Sequence, residues 1–304
     1  MKRRLILLAV LIAIYLAGIA TLGIYVVTHS KTSKNSKLLV VAGENVWGNI
    51  ASQIGGDKVQ VTSIISDPGV DPHAYQSNAH DALVLSQAKL VIANGLGYDD
   101  FLTKLMEASP NAKRNVLTVS SVLGVAGKDA NPHLWYDITR VPDVAQAIET
   151  AMAAQDPADA ALFAANLQKF DTSLQPLLNK IVQIKTQFVA TPVAYTERVP
   201  GYLLGDMGLT VKTPAGFASA VENGNDPSLA DQSAMNALIT SNGIKALLYN
   251  SQATSPTTAH LKTLAQQYNI PVVGVTETIP AQFATYQAWQ SSQLDALQHA
   301  LQGK

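Results

Sequence analysis

The longest regular pattern of apolar positions runs through Phe163, Leu167, Phe170, Leu174, Leu177, Ile181, Ile184 and Phe188. The steps alternate between four and three residues, which places every one of these side chains on one face of an α-helix. Asp156 suits the N-cap and Pro157 the first helical position, and Thr191-Pro192 should stop the run. The pattern therefore predicts one helix over 156–188, ~48 Å long, with a mild kink at Pro176. A coiled-coil segment or an ordinary core helix would carry the same stripe. The position of this one, between two halves of similar size, favours a link between lobes.

On either side the pattern changes to short β-branched runs alternating with amphipathic stretches. Before the helix, 38–42, 59–65, 90–93 and 116–119 read as strands, with helices over 44–54, 78–87 and 98–108. No element is assigned between 137 and 156. After it, 192–195, 209–213, 246–249 and 272–275 read as strands, with helices over 201–207, 228–241, 257–268 and 282–301. Strands that alternate with helices imply parallel sheets covered on both faces. The expected fold class is α/β: two α/β lobes with parallel sheets, joined by one long backbone helix. The expected division is an N-terminal lobe over 38–155, the linking helix over 156–188 and a C-terminal lobe over 189–304. Ligands of such sheets bind beyond the carboxyl ends of the strands, here in the cleft between lobes.

Residues 1–37 read differently. Met1-Lys2-Arg3-Arg4 is basic, and Leu5 to Thr28 carries no charge. That run reaches ~36 Å as a helix, enough to cross a hydrocarbon core of ~30 Å. The basic flank should stay cytoplasmic and leave the rest outside. The segment reads as an uncleaved membrane anchor followed by a Lys/Ser/Asn tether, with a cleaved signal peptide as the alternative. The expected location is extracytoplasmic, in a periplasm or at the cell surface.

Among 304 residues the net charge is −1, which gives no reason to expect nucleic acid as a partner. There is no cysteine, so disulfides and thiolate metal sites are excluded. Of the six histidines, His29 flanks the apolar run, and His80, His260 and His299 lie in polar helical contexts that suit capping or solvation. His73 and His133 differ. Each follows a proline in a loop of the first half, and a proline limits the orientations open to its neighbour. Asp71 and Asp137 stand close enough in sequence to orient these rings. Beyond the helix, Glu197 and Glu277 each follow a predicted strand, where capping is the commoner role of an acid. Two such acids facing two histidines across a cleft would make a nitrogen–oxygen set suited to Zn²⁺ or Mn²⁺.

The segments Asp71–Gln76 (DPHAYQ), Leu90–Leu105 (LVIANGLGYDDFLTKL), Asn131–Asp137 (NPHLWYD), Glu197–Tyr202 (ERVPGY) and Val275–Ile279 (VTETI) occur in this order. Together they resemble the zinc- and manganese-binding solute receptors of bacterial ABC importers, the cluster A-I family, over roughly residues 38–302. The resemblance implies two lobes joined by a rigid helix and a metal ion buried between them. It implies His73, His133, Glu197 and Glu277 as metal ligands, an ABC permease membrane subunit as partner, and a monomer. Three departures stand out. Glu277 replaces the family's usual Asp, the His-rich or acidic loop of many zinc-specific members is absent, and so is the lipid-attachment cysteine of many others.

The expected function is that of a solute-binding protein which captures Mn²⁺ or Zn²⁺ and delivers it to a permease. Two carboxylates tip the set narrowly toward Mn²⁺. A metal-dependent hydrolase is the main rival. It needs an open coordination position and a base, and no His-Glu-x-x-His motif occurs. An adhesion role, often attributed to the family, would need a binding surface that no sequence feature marks. The expectation is therefore of a binding protein and not an enzyme.

Overall fold

The computed structural model describes residues 37–303 except 68, 70, 71, 73 and 74. The anchor and tether read from residues 1–36 lie outside the described residues, as do His73 and Asp71. Among the described residues no helix is long and apolar enough to cross a membrane.

The first lobe is a βα alternation: β1 (Leu38–Glu44), α1 (Asn45–Gly55), β2 (Val59–Ile65), α2 (Ala79–Gln87), β3 (Leu90–Ala93), α3 (Asp100–Ala108), β4 (Asn115–Thr118) and α4 (Val119–Leu123). Its sheet has the order β2-β1-β3-β4, and every pairing is parallel. All four residues of β3 are buried, as a central strand covered on both faces requires. The second lobe follows the same plan with β5 (Pro192–Tyr195), α7 (Gly201–Asp206), β6 (Thr210–Val211), α8 (Ala215–Glu222), α9 (Leu229–Thr240), β7 (Leu247–Asn250), α10 (Pro256–Gln267) and β8 (Val272–Val275). Its order is β6-β5-β7-β8, again parallel throughout. The closing helix is α11 (Tyr286–Gln302), capped by the Thr285 hydroxyl.

Between the sheets lie α5 (Val141–Gln155) and the long helix α6 (Ala160–Phe188). The sequence pattern did not assign α5, although Val141, Val144, Ala145, Ile148 and Met152 have helical spacing and are buried. Its existence corrects the start of the long helix. Asp156 closes α5, its N–H donating to the Met152 carbonyl at 2.8 Å, so Asp156-Pro157 cannot also open α6. Asp159 stands at the N-cap instead, and Lys58 pairs with its carboxylate at 3.0 Å. α6 ends at Phe188, just before Ala190 takes a left-handed φ of 61°. Pro176 sits inside it.

The stripe on α6 is buried from Phe163 to Ile184, with Phe188 half-buried. Each such side chain contributes about 1.5–3 kcal/mol by leaving water. α6 packs on α1 and α5 from the first lobe and on α11 from the second. A single apolar core therefore runs through both lobes, from Trp47 and Ile50 past Phe170 and Leu174 to Trp289 and Leu297. Separate smaller cores cover the outer face of each sheet.

Asn45 and Asn49, one turn apart on α1, extend this seam with their amides. Asn45 donates to the Ile279 carbonyl (2.9 Å) and accepts from the Ile279 N–H (2.8 Å). Asn49 does the same for the Ala284 carbonyl (3.0 Å) and the Tyr286 N–H (2.9 Å). In the same region the Tyr136 hydroxyl donates to the Thr276 carbonyl and the Tyr286 hydroxyl to the Trp135 carbonyl, both at 2.7 Å. Burial pushes the pKa of both phenols up, so both remain neutral donors.

Candidate metal centre

His133 opens a short turn, Leu134–Tyr136, and is completely buried. Its ring stands edge-on to Tyr98 and Trp135, with centroids 5.8 and 5.5 Å away. Asn131 orients the ring. The Asn131 Nδ2 donates to the Arg198 carbonyl at 2.8 Å, which identifies the other amide atom as the oxygen. That Oδ1 lies 2.7 Å from His133 Nδ1, so Nδ1 donates to it and Nε2 is the ring nitrogen turned into the site. Nε2 faces Glu277 Oε2 at 3.2 Å. The orienting group is thus Asn131 and not Asp137, which instead accepts from the Thr139 hydroxyl at 2.9 Å.

Glu197 and Glu277 follow β5 and β8 at the carboxyl edge of the second sheet, and both are buried. Asn250, the last residue of β7, stands between them. Its Nδ2 donates to Glu197 Oε2 at 2.6 Å and to Glu277 Oε1 at 2.7 Å. The Asn250 amide is itself held, its Oδ1 accepting from the Gln252 N–H at 3.0 Å. The Gln252 side chain accepts in turn from the backbone N–H groups of Glu277 and Thr278. Tyr98 crosses from the first lobe to donate to Glu277 Oε2 at 2.8 Å.

Tyr98 is presented by a strained turn. Gly95, Leu96 and Gly97 have φ of 83°, 58° and 81°. Such a turn is costly for a leucine and suits glycine, and a Cβ on Gly95 would stand 2.4 Å from the Ser120 hydroxyl. The Asp99 carboxylate ties the turn together by accepting from the N–H groups of Asn94 (2.6 Å) and Gly95 (2.9 Å).

The structure therefore brings three of the four residues expected from sequence, His133, Glu197 and Glu277, into one buried hydrogen-bonded group. The fourth, His73, lies outside the described residues. Among the described residues no three His, Asp or Glu side chains converge on one point, and the Asn250 amide stands between the two carboxylates. The donor set fits a divalent cation: buried carboxylates beside an imidazole call for positive charge. A cleft of about 890 Å³ adjoins the group, lined by Tyr98, Asp129, Pro132, Tyr195, Arg198 and Glu222. His80, His260 and His299 are exposed and stand apart from this site.

The profile of the family described as zinc-uptake complex component A, periplasmic (ZnuA), matches residues 40–300. The chain belongs to this family. The metal ABC transporter substrate-binding lipoprotein SloC of Streptococcus mutans is 28% identical over 58% of this ZnuA-family chain and 60% of its own length. The manganese-binding lipoprotein MntA of Halalkalibacterium halodurans is 27% identical over 46% and 47%. The matched region thus spans less than two thirds of either relative. Among solved structures, the periplasmic zinc-binding protein TroA of Treponema pallidum superposes with a TM-score of 0.75, at 21% identity, covering 88% of this chain and 99% of TroA. That likeness establishes the two-lobed α/β fold. The family's description is that of a periplasmic component of a zinc-uptake complex.

Tyr98, Asn131 and Asn250 were not singled out from sequence. Tyr98 was visible in the Asn94–Tyr98 run (NGLGY), whose glycines announce a tight turn beside the site. Asn250 carries no signal beyond its place at the carboxyl end of a strand. Another buried acid, Glu44, ends β1 with no side-chain partner for either carboxyl oxygen among the described residues. Burial pushes its pKa well up, and the neighbouring Asp99 charge adds to the shift.

Proposed function

We propose that this protein is the extracytoplasmic solute receptor of a metal ABC importer. It binds one Mn²⁺ or Zn²⁺ ion between its lobes and delivers it to the permease. The observation that carries this reading is the buried group in which His133 of the first lobe meets Glu277 of the second, with Glu197 one amide away. His73, His133, Glu197 and Glu277 are the ligands in this reading. The family match supports a receptor over a hydrolase or an adhesin, and relatives described as binding manganese and zinc support a divalent cargo. The apolar segment before Lys31 would hold the receptor, as a monomer, to the outer face of the cytoplasmic membrane. The lobes of the proposal are 38–155 and 189–304.

Elemental analysis of protein purified without chelator tests the reading, together with calorimetry on His133→Ala. One ion per chain is expected, with affinity falling at least ~100-fold in the variant. Full affinity in His133→Ala would sink the ligand set. Fractionation with N-terminal sequencing tests the anchor: a soluble species beginning near Thr21 would show a cleaved signal instead.

A further inference from the structure

The Asn250 amide does more than pack. A side-chain NH₂ has two hydrogens, and here each goes to a different carboxylate. Its nitrogen occupies the space between Glu197 Oε2 and Glu277 Oε1, the place from which a cation could contact both of those oxygens. Glu277 Oε2 is the oxygen turned toward His133 Nε2. Asn250 cannot easily yield. Its backbone N–H donates to the Thr196 hydroxyl at 3.0 Å, its Oδ1 accepts from Gln252, and the residue is 1% exposed.

We propose that Asn250 is a specificity-determining positioning residue: it holds one oxygen of each carboxylate out of the coordination shell, so that Glu197 and Glu277 each bind metal through a single oxygen. The proposal rests on the metal-receptor reading and deepens it. Two single-oxygen carboxylates and two imidazoles make a four-donor shell, which suits Zn²⁺. Releasing the second oxygens would allow five or six donors, which suits Mn²⁺. Counting carboxylates alone tips the site toward Mn²⁺, and Asn250 pulls that balance back toward the ion of lower coordination number.

The experiment uses the full chain, stripped with chelator and reloaded with Zn²⁺ or Mn²⁺ alone. Zinc-edge X-ray absorption gives the number of nitrogen and oxygen neighbours, and competition against a chelating dye gives both affinities. Wild type should show about four neighbours. In Asn250→Ala that number should rise, and the Mn²⁺-to-Zn²⁺ affinity ratio should increase about tenfold. Asn250→Ser, which keeps one donor, should fall between the two, and it carries the test if the alanine variant does not fold. Five or six neighbours in wild type would overturn the proposal. So would parallel losses of both affinities at unchanged neighbour number in the variants, which is what a merely structural asparagine would give. A wild-type protein that binds neither ion would instead overturn the receptor reading itself, and the assignment of Asn250 with it.

Discussion

The two lobes meet along two seams of opposite character. At the back, α6, α1, α5 and α11 share one apolar core, and the Asn45 and Asn49 amides lock backbone groups of the second lobe in pairs. At the front, beside the cleft, the contacts are polar and half-exposed. Arg198 Nη1 reaches the Asp129 carbonyl, Asn131 Nδ2 reaches the Arg198 carbonyl, and the Tyr202 hydroxyl reaches the Asn131 carbonyl, each at 2.8 Å. A packed core moves between discrete arrangements or not at all, whereas a few water-accessible hydrogen bonds exchange readily with solvent. The contrast teaches that metal exchange should act through the front loops around a fixed back. Scattering profiles with and without metal should therefore nearly superimpose.

The largest effect should come from breaking the back. Leu174 is fully buried in the stripe of α6. Leu174→Ala should cost about 2–5 kcal/mol, the loss of transferred methylenes plus the cavity left behind. Because one core serves both lobes, thermal unfolding followed by calorimetry should remain a single transition. Two resolved transitions would mean that the lobes fold independently and that the back is no common core.

A smaller loss should follow from removing an amide of the seam. Asn45→Ala strands the N–H and the carbonyl of Ile279, a cost of about 1–3 kcal/mol if water does not replace both bonds. Ile279 lies two residues beyond Glu277, so the variant should also weaken metal binding. Denaturation and calorimetry on the same preparation would separate the two, and unaltered affinity would show that the seam does not position the site.

The seams also mark what could be read in the sequence. The back was legible where a period fixes geometry: the stripe on α6 and the strands Val59–Ile65, Leu90–Ala93, Pro192–Tyr195 and Val272–Val275 follow from spacing and β-branching alone. The start of α6 was not, because Asp156-Pro157 is as good an N-terminal signal as any, and only the preceding helix α5 rules it out. At the site, strand-end acids and Pro-His loops marked His133, Glu197 and Glu277. The residues that orient them escaped notice because their roles arise from contacts far apart in sequence. Asn250 meets Glu197 only once β5 and β7 pair in the second sheet, and Tyr98 meets Glu277 only once the two lobes come together. Asn131 escaped for another reason: Asp137, four residues beyond the ring, was a carboxylate and so the stronger acceptor on paper, and only the local turn decides which one the ring meets.

Glu44 sharpens the comparison at the point where α1 begins. Its folded-state pKa is raised above the ordinary 4.5 by burial and then by Asp99. The folded protein therefore keeps a proton that the unfolded chain releases. The stabilising contribution is fully present below about pH 4.5 and is lost as pH rises through the folded-state value. Glu44→Gln mimics the protonated form. The variant should match wild type in denaturant midpoint at pH 4 and exceed it at pH 8. Equal midpoints at both values would show that Glu44 reaches solvent or a partner when ionised.

The smallest effect on stability and the clearest on kinetics should come from Arg198. Its Nε and Nη2 grip both oxygens of Glu222 at 2.7 Å, and its Nη1 bridges the front to Asp129. Arg198 is partly exposed and the buried Glu222 lines the cleft, where water can replace the arginine, so deleting the pair should cost about 1 kcal/mol. Yet Arg198 is the neighbour of Glu197, and its carbonyl is held by Asn131, the residue that orients His133. The clasp thus couples a carboxylate loop of one lobe to an imidazole loop of the other. Arg198→Lys keeps the charge but not the planar fork that serves Glu222 and Asp129 together. Stopped-flow capture of released metal by a chelator should show both Arg198→Ala and Arg198→Lys releasing several-fold faster, with melting temperatures near wild type. A lysine variant that releases at the wild-type rate would mean that charge alone holds the front. Faster release accompanied by a large loss of stability would mean that the front is part of the fixed body and that the contrast between the seams does not hold.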